Sequence, residues 1–386
     1  MNNMTFPLIP RVRVNYSFTD VFKAMFVSEK TAQRRNDVKH FLSSYFDTPN
    51  VLLTSSGRAG IYMVLRFLPQ KKVFIPAYTC MVVVEAAMLA GKEIHYAHTS
   101  DLTFNADDYE GLDDDSIVMA THQYGLPCDI VHIVEYAHQK GAVVIEDCAA
   151  AFGSRVDGKL VGTFGDFSAF SFDPSKLINV PNKAGFILAK NESDLQGVAK
   201  TTSLIENDFS YKSTSLKEGL IYCLLKNKWI YRVFHYCTMG RKHKMQLSEH
   251  DTPQLVIDDY YTHGFSEWQA VFVMKQLKQL DKYITRRKEV FERYDLHIQN
   301  NQMIKPIINP EAVCIRYTIK VKQKETLYYD CLRQGVDMGF SFNHIGTPKT
   351  WINEHRISSE ILNLPYYYSL RDKEVDRVIN VLNNWK

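Results

Sequence analysis

VVIEDCAAAFGSRVDGKLVGTFGDFSAFSFDPSK, residues 143–176, opens on an apolar run that ends in two acids and closes on an aromatic run that leads to a lysine. Val143 to Glu146 and Phe167 to Phe172 have the length and the branched or aromatic composition of buried strands. A carboxylate at the end of such a strand costs free energy unless it meets a cation or N–H donors. Asp147 is therefore expected to serve either a ligand or a structural ion pair. Lys176 stands shortly after Ser171. Apolar surroundings favour the neutral form of an amine, and a neutral amine can form a Schiff base with a carbonyl; a lone lysine after a strand is otherwise an ordinary surface residue.

Working outward, the runs Val51 to Thr54, Val73 to Ile75, Ile94 to Tyr96, Ile117 to Thr121 and Gly185 to Ala189 complete a set of seven candidate strands. Segments of helical period lie between them at Arg58 to Phe67, Met81 to Ala90 and Ile130 to Gln139. The alternation predicts an α/β fold, a mostly parallel seven-stranded sheet with helices on both faces and ligands at the carboxyl ends of the strands. TSSGRAGIYMVL, residues 54–65, passes from strand to helix through small residues. Small residues there let backbone N–H groups approach a phosphate, though Ser55 or Ser56 can equally be a simple helix cap. FIPAYTCMVVVEAA, residues 74–87, puts Tyr78 and Cys80 at another such junction. An aromatic at that place stacks on a flat ring or packs in the core.

The rhythm breaks at residues 200–255. GLIYCLLKNKWIYRVFHY, followed by RKHK at Arg241 to Lys244, mixes aromatics with bases. That composition suits either a membrane-surface helix or a helix packed on the body or on a twin subunit. One long amphipathic helix is predicted from Ser266 to about Ile298, with Ala270, Met274, Leu277, Leu280 and Ile284 on one face. CIRYTIKV then reads as a strand, ETLYYDCLRQG as a helix ending at Gly335, and Asp372 to Trp385 as a closing helix. The expected division is a large domain over residues 1–250, with an N-terminal arm and a helical insertion at about 205–250, and a smaller α+β domain over 251–386.

Bulk properties exclude more than they assign. With 46 Lys+Arg against 43 Asp+Glu, the net charge of +3 implies no nucleic-acid partner. No window is apolar for long enough to span a membrane. The seven cysteines are scattered without a C-x-x-C pair, as expected of free thiols in the cytoplasm, and no metal site is expected. MNNMTFPLIPRVRV lacks the basic-then-apolar pattern of an export signal.

In order and spacing, TSSGRAG, IPAYTC, THQYGLPCD, VVIEDCAAAFGS, GTFGD, FSFDPSK, FSEWQAVFVMKQLKQLDKYITRRK and LPYYYSL resemble the DegT/DnrJ/StrS nucleotide-sugar aminotransferases, members of the aspartate-aminotransferase fold. The resemblance implies pyridoxal 5'-phosphate as cofactor, with pyridoxamine 5'-phosphate as its intermediate form. It implies Lys176 at the Schiff-base position, Ser171 at the cofactor phosphate, and Asp147 beside the pyridinium nitrogen. The phosphate-binding turn becomes Ser56, Gly57, Arg58 and Ala59, with the N–H groups of Arg58 and Ala59 as donors. It further implies an amino-acid donor, L-glutamate, a nucleotide-linked keto-sugar acceptor, a homodimer, and a place in surface-polysaccharide or amino-sugar biosynthesis. The alternatives are sugar dehydration, whose enzymes commonly replace the lysine by histidine, and a non-catalytic regulatory protein on the same scaffold. The chain departs from the pattern at four places. Cys80 replaces a ring-stacking aromatic, leaving Tyr78 or Tyr124 for that task, and Ala150 replaces a Gln or His. The loop LINVPNKAG lacks the Gly-rich run, and Thr262-His263-Gly264 stands where an Asn-Tyr-Arg triplet reaches the neighbouring subunit, making Thr262 and His263 the partner-subunit candidates.

Overall fold

The computed structural model describes residues 7–99, 102–205, 208–239, 253–342, 347 and 349–386. Helices α1 (Phe18–Met25) and α2 (Gln33–Phe46) precede β1 (Val51–Thr54), α3 (Gly57–Phe67), β2 (Lys72–Pro76), α4 (Met81–Leu89) and β3 (Glu93–Ala97). Next come β4 (Ser116–Thr121), α5 (Ile130–Gln139), β5 (Val143–Asp147) and a small flap, β6 (Arg155–Val156) with β7 (Lys159–Leu160). Then follow β8 (Phe167–Ser171), β9 (Gly185–Ala189) and α6 (Glu192–Ala199).

Seven of these strands form one mostly parallel sheet, as the alternation predicts, in the order β1-β9-β8-β5-β4-β2-β3. Only β9 runs against its neighbours, β8 and β1. Strand periodicity sorts the side chains onto two faces. Val73, Ile75, Ile117, Met119 and Ile145 pack with Ile61, Val64 and Leu65 of α3. The intervening Phe74, Val118, Ala120 and Val144 pack with Ile130, Ile133 and Ala137 of α5. Each fully buried side chain of this size contributes about 1.5–3 kcal/mol.

The second half contains α7 (Phe209–Leu225), α8 (Lys228–Met239), α9 (Asp259–Thr262), α10 (Glu267–Leu277) and α11 (Leu280–His297). It ends with β10 (Tyr317–Lys320), α12 (Lys324–Arg333), α13 (Ile352–Glu360), β11 (Ile361–Leu364) and α14 (Asp372–Asn383). The single long helix predicted from Ser266 to Ile298 is two helices. Lys278 ends the first, and Gln279, at φ −120°, leaves the helical region. The buried Gln276 side chain donates to Phe272 O and Asn179 O, anchoring the end of α10 to the loop after Lys176. The break lets Leu277, Leu280 and Tyr283 all enter the core that holds Phe170 and Phe186.

A separate core runs from Val290 to Trp385 and includes Ile9. The N-terminal arm reaches it: Ile9 bridges to Val336, and Arg13 pairs with the buried Glu374 at 3.0 and 2.9 Å. Burial pushes the Glu374 carboxyl up, but the hydrogen bonds of Arg13 and Arg371 and the charge of Arg13 together outweigh it and hold it down to about 2. The segment expected as a helical insertion is α7 and α8. Tyr231 of α8 bonds Asp337 on its inner side, while Trp229, Ile230, Val233, Phe234 and Tyr236 stay exposed. Arg241 to Lys244 lie outside the described residues. Among the described residues no helix is long and apolar enough to cross a membrane.

Candidate active site

Because β1, β2, β4, β5 and β8 are mutually parallel, their carboxyl ends share one edge of the sheet. The return of β9 against β8 brings Gly185 opposite Ser171 at that edge. The connection between these two strands, residues 172–184, therefore leaves and re-enters the same end, and it carries Lys176. A cavity of about 300 Å³ lies there, lined by Ser56, Gly57, Arg58, Cys80, Asp147, Ala150, Ser171 and Lys176, with Gln123, Tyr124, Asp173, Lys183, Arg316 and Phe342. The volume is at the lower edge of the range of about 300–1,000 Å³ for small-molecule sites. A larger opening of about 510 Å³ lies at the opposite strand ends, bounded by Arg155, Lys159 and Asp166, and holds none of the expected residues.

The turn before α3 is built for close approach. Ser56 is its extended N-cap, and its Oγ accepts the Ala59 N–H at 3.1 Å. Ala59 thus gives its N–H to the cap and does not line the cavity, whereas Ser56, Gly57 and Arg58 do. A Cβ on Gly57 would stand 2.9 Å from Ser171 Cβ, and one on Gly185 would stand 2.7 Å from the Gly57 nitrogen. Glycine at both positions lets the helix N-terminus, β8 and β9 converge.

The two acids at the end of β5 have different surroundings. Glu146 is fully buried and accepts N–H groups from Gly162, Phe164 and Gly165, each at 2.7 Å, while His122 Nε2 lies 3.0 Å from its carboxylate. His122 Nδ1 accepts the Cys128 N–H at 3.2 Å, so its Nε2 is the donor to Glu146. His122, Glu146 and Cys148 lie within the spacing of metal ligands, but these hydrogen bonds already use the imidazole and the carboxylate. Asp147 lies on the cavity side and, among the described residues, accepts one hydrogen bond, from the Ala149 N–H at 3.0 Å. Burial pushes its carboxyl up, and the Ala149 hydrogen bond and the charge of Lys176 only partly offset that.

Lys176 is held by its loop. Asp173 Oδ1 accepts the Ser175 N–H at 2.7 Å and its hydroxyl at 2.6 Å, the Lys176 N–H returns to Asp173 O, and Asn179 donates to Lys176 O. Burial pushes the Asp173 carboxyl up, but the Lys176 charge and the Ser175 hydrogen bonds outweigh it and hold it below the usual carboxylate range.

Of the two aromatics considered for stacking, Tyr124 lines the cavity and Tyr78 does not. Their hydroxyls meet at 2.6 Å, and Phe342 from the C-terminal half stacks on Tyr124 at 5.6 Å and 6°. Thr262 and His263 stand apart from the cavity. His263 is buried within its own chain, with Nε2 3.1 Å from Asp208 and its ring stacked on Tyr211 at 4.3 Å. Lys183, Arg316 and Phe342 are cavity residues that sequence reading missed. For Lys183 the missed signal was the antiparallel return of β9, which folds its loop back beside Ser171.

Residues 22–383 match the model of the DegT/DnrJ/EryC1/StrS aminotransferase family. The chain belongs to that family. It is 24% identical over 344 residues to the UDP-N-acetyl-3-dehydro-alpha-D-glucosamine 3-aminotransferase of Acidithiobacillus ferrooxidans, covering 85% of this chain and 82% of that protein. It is 23% identical over 349 residues to the GDP-perosamine synthase of Escherichia coli O157:H7, covering 86% and 84%. Among solved structures, the putative sugar aminotransferase Spr1654 of Streptococcus pneumoniae in its PLP form superposes with a TM-score of 0.74 at 17% identity, covering 97% of this chain and 98% of that one. By family and fold the chain is a pyridoxal-phosphate-dependent aminotransferase.

The site fits that cofactor on its own terms. A buried carboxylate with a single N–H partner suits a protonated ring nitrogen, a glycine-lined helix N-terminus suits a phosphate, and a lysine lines the same cavity.

Proposed function

We propose that this chain transfers the amino group of an amino acid, L-glutamate, to the keto carbon of a nucleotide-linked sugar in surface-polysaccharide or amino-sugar biosynthesis. The observation that carries the reading is the gathering of Asp147, Lys176, Ser171 and the Ser56–Arg58 turn around one cavity. When bound, pyridoxal phosphate supplies an aldehyde that takes up the amine and a ring that accepts an electron pair. Asp147 holds the proton on the ring nitrogen, which keeps that ring electron-poor. Ser171 Oγ and the N–H groups of Gly57 and Arg58 hold the phosphate. Lys176 Nζ would hold the aldehyde of the bound cofactor and, as a free amine, would take a proton from the donor Cα and give one back when the sugar is aminated. Retention of Lys176 speaks against sugar dehydration.

The chain is proposed to act as a homodimer. Exposed Phe22 on α1 and Phe26 just after it, with Leu224 on α7 and Trp229 and Val233 on α8, offer the apolar surface for it. Seven free thiols support a reducing, cytoplasmic setting.

A dimer-sized fraction from a sizing column, incubated with L-glutamate and a panel of nucleotide-linked keto-sugars, should yield an amino sugar by mass spectrometry. Lys176→Ala should lose about 10⁴-fold of that activity. A deoxy-keto sugar as product, or full activity in Lys176→Ala, would remove the reading, and a purely monomeric active fraction would remove the dimer.

A further inference from the structure

Arg58 and Lys183 line the proposed cofactor cavity and share one aromatic ring. Lys183 Nζ lies 3.9 Å from the Tyr260 centroid, and the Arg58 guanidinium carbon lies 5.5 Å from it. The backbone that carries this ring is anchored beside the N-terminus of α3, because Tyr260 O accepts the hydroxyls of Ser55 at 2.6 Å and Ser56 at 3.1 Å. Lys183 precedes Gly185 by two residues, and Gly185 presses against the Gly57 nitrogen. Two cations, the Ser56–Arg58 turn at a helix N-terminus and Ser171 thus line one space.

Among the described residues neither cation has a salt-bridge partner. Burial holds the Lys183 amine below the usual lysine range, the nearby charge of Arg58 adds to this, and Asp173 and Asp258 offset it only in part. Two like charges in partly desolvated surroundings repel each other until an anion lies between them. A phosphate monoester carries enough charge for both and offers oxygens to the helix N–H groups as well.

We propose that Arg58 and Lys183, steadied by Tyr260, clamp a phosphate dianion at the N-terminus of α3, with Lys183 as the residue that distinguishes phosphorylated from unphosphorylated ligands. The inference rests on the cofactor reading above. It adds that the cationic half of the phosphate site comes from a single chain. The dianion belongs to the cofactor or to the diphosphate of the sugar nucleotide, and the arms of the test separate these sources.

Apo-protein would be titrated with pyridoxal phosphate and with pyridoxal, following the visible absorbance of the lysine-bound carbonyl, and with UDP and GDP by calorimetry. Lys183→Gln should weaken pyridoxal phosphate by about tenfold or more, leave pyridoxal unchanged, and be rescued by Lys183→Arg. A loss confined to the nucleoside diphosphates would also support the clamp and assign it to the substrate. Equal losses for pyridoxal and its phosphate, or no loss with any phosphate-bearing probe, would overturn it.

Should Lys183→Gln not fold, wild-type apo-protein answers the same question. Inorganic phosphate should raise its melting temperature and compete with pyridoxal phosphate but not with pyridoxal; absence of both effects overturns the clamp. If neither aldehyde gives the absorbance while phosphate still stabilises the protein, the cofactor reading fails and the anion clamp stands.

Discussion

Glu146 and Asp147 are neighbours at the end of one strand, both buried, yet they face opposite regions. Below the sheet edge, Glu146 receives three backbone N–H groups and an imidazole, all from its own chain. In the cavity, Asp147 receives one N–H. The lesson is about where a fold leaves electrostatic work undone. A buried carboxylate satisfied by its own chain locks a loop, here residues 162–165, under the sheet; one left short of donors is matched by a ligand that brings a proton or a cation.

The largest test of this contrast is Glu146→Ala. It strands the N–H groups of Gly162, Phe164 and Gly165 and one nitrogen of His122, and should cost about 3–5 kcal/mol in urea unfolding of the apo-protein. A cost below about 1 kcal/mol would mean that the lower region is not held by this carboxylate.

Asp147→Asn should act in the opposite direction. The amide keeps the acceptor for Ala149 and removes an under-solvated charge, so apo-protein near neutral pH should gain about 1–3 kcal/mol, while turnover falls because the ring nitrogen loses its anionic partner. The sign follows from linkage. Burial raises the folded-state pKa of Asp147 above 3.8, so its favourable contribution is complete below the unfolded value and is lost as pH rises through the raised one. The advantage of the variant should therefore shrink as pH falls toward 3.8. A variant less stable than wild type at neutral pH would erase the distinction between the two acids.

Much of this was legible in the chain because local patterns specify it. Branched or aromatic runs marked all seven strands of the main sheet, and the small residues after β1 marked the start of α3. Asp147 and Lys176 could be singled out because one ends a buried strand and the other follows one. The break after Leu277 was not legible, since the apolar stripe of Ala270, Met274, Leu277, Leu280 and Ile284 continues through it; the bend depends on Gln276 reaching Asn179, about a hundred residues earlier. The division of labour between Glu146 and Asp147 was likewise hidden, because it depends on which way each side chain points and on a loop that returns from residue 162. Phe342 and Arg316 come to the cavity from the C-terminal half, and no local pattern announces such a contact. Nor does any local pattern in Thr262-His263-Gly264 announce that Asp208 and Tyr211 of the same chain pack against His263.

The central claim is that Lys176 grips an aldehyde cofactor within reach of Asp147. Wild-type protein saturated with pyridoxal phosphate, reduced with borohydride and digested, should carry the cofactor mass on the peptide containing Lys176 and on no other. Attachment at a different lysine, or no attached mass at all, would contradict the account.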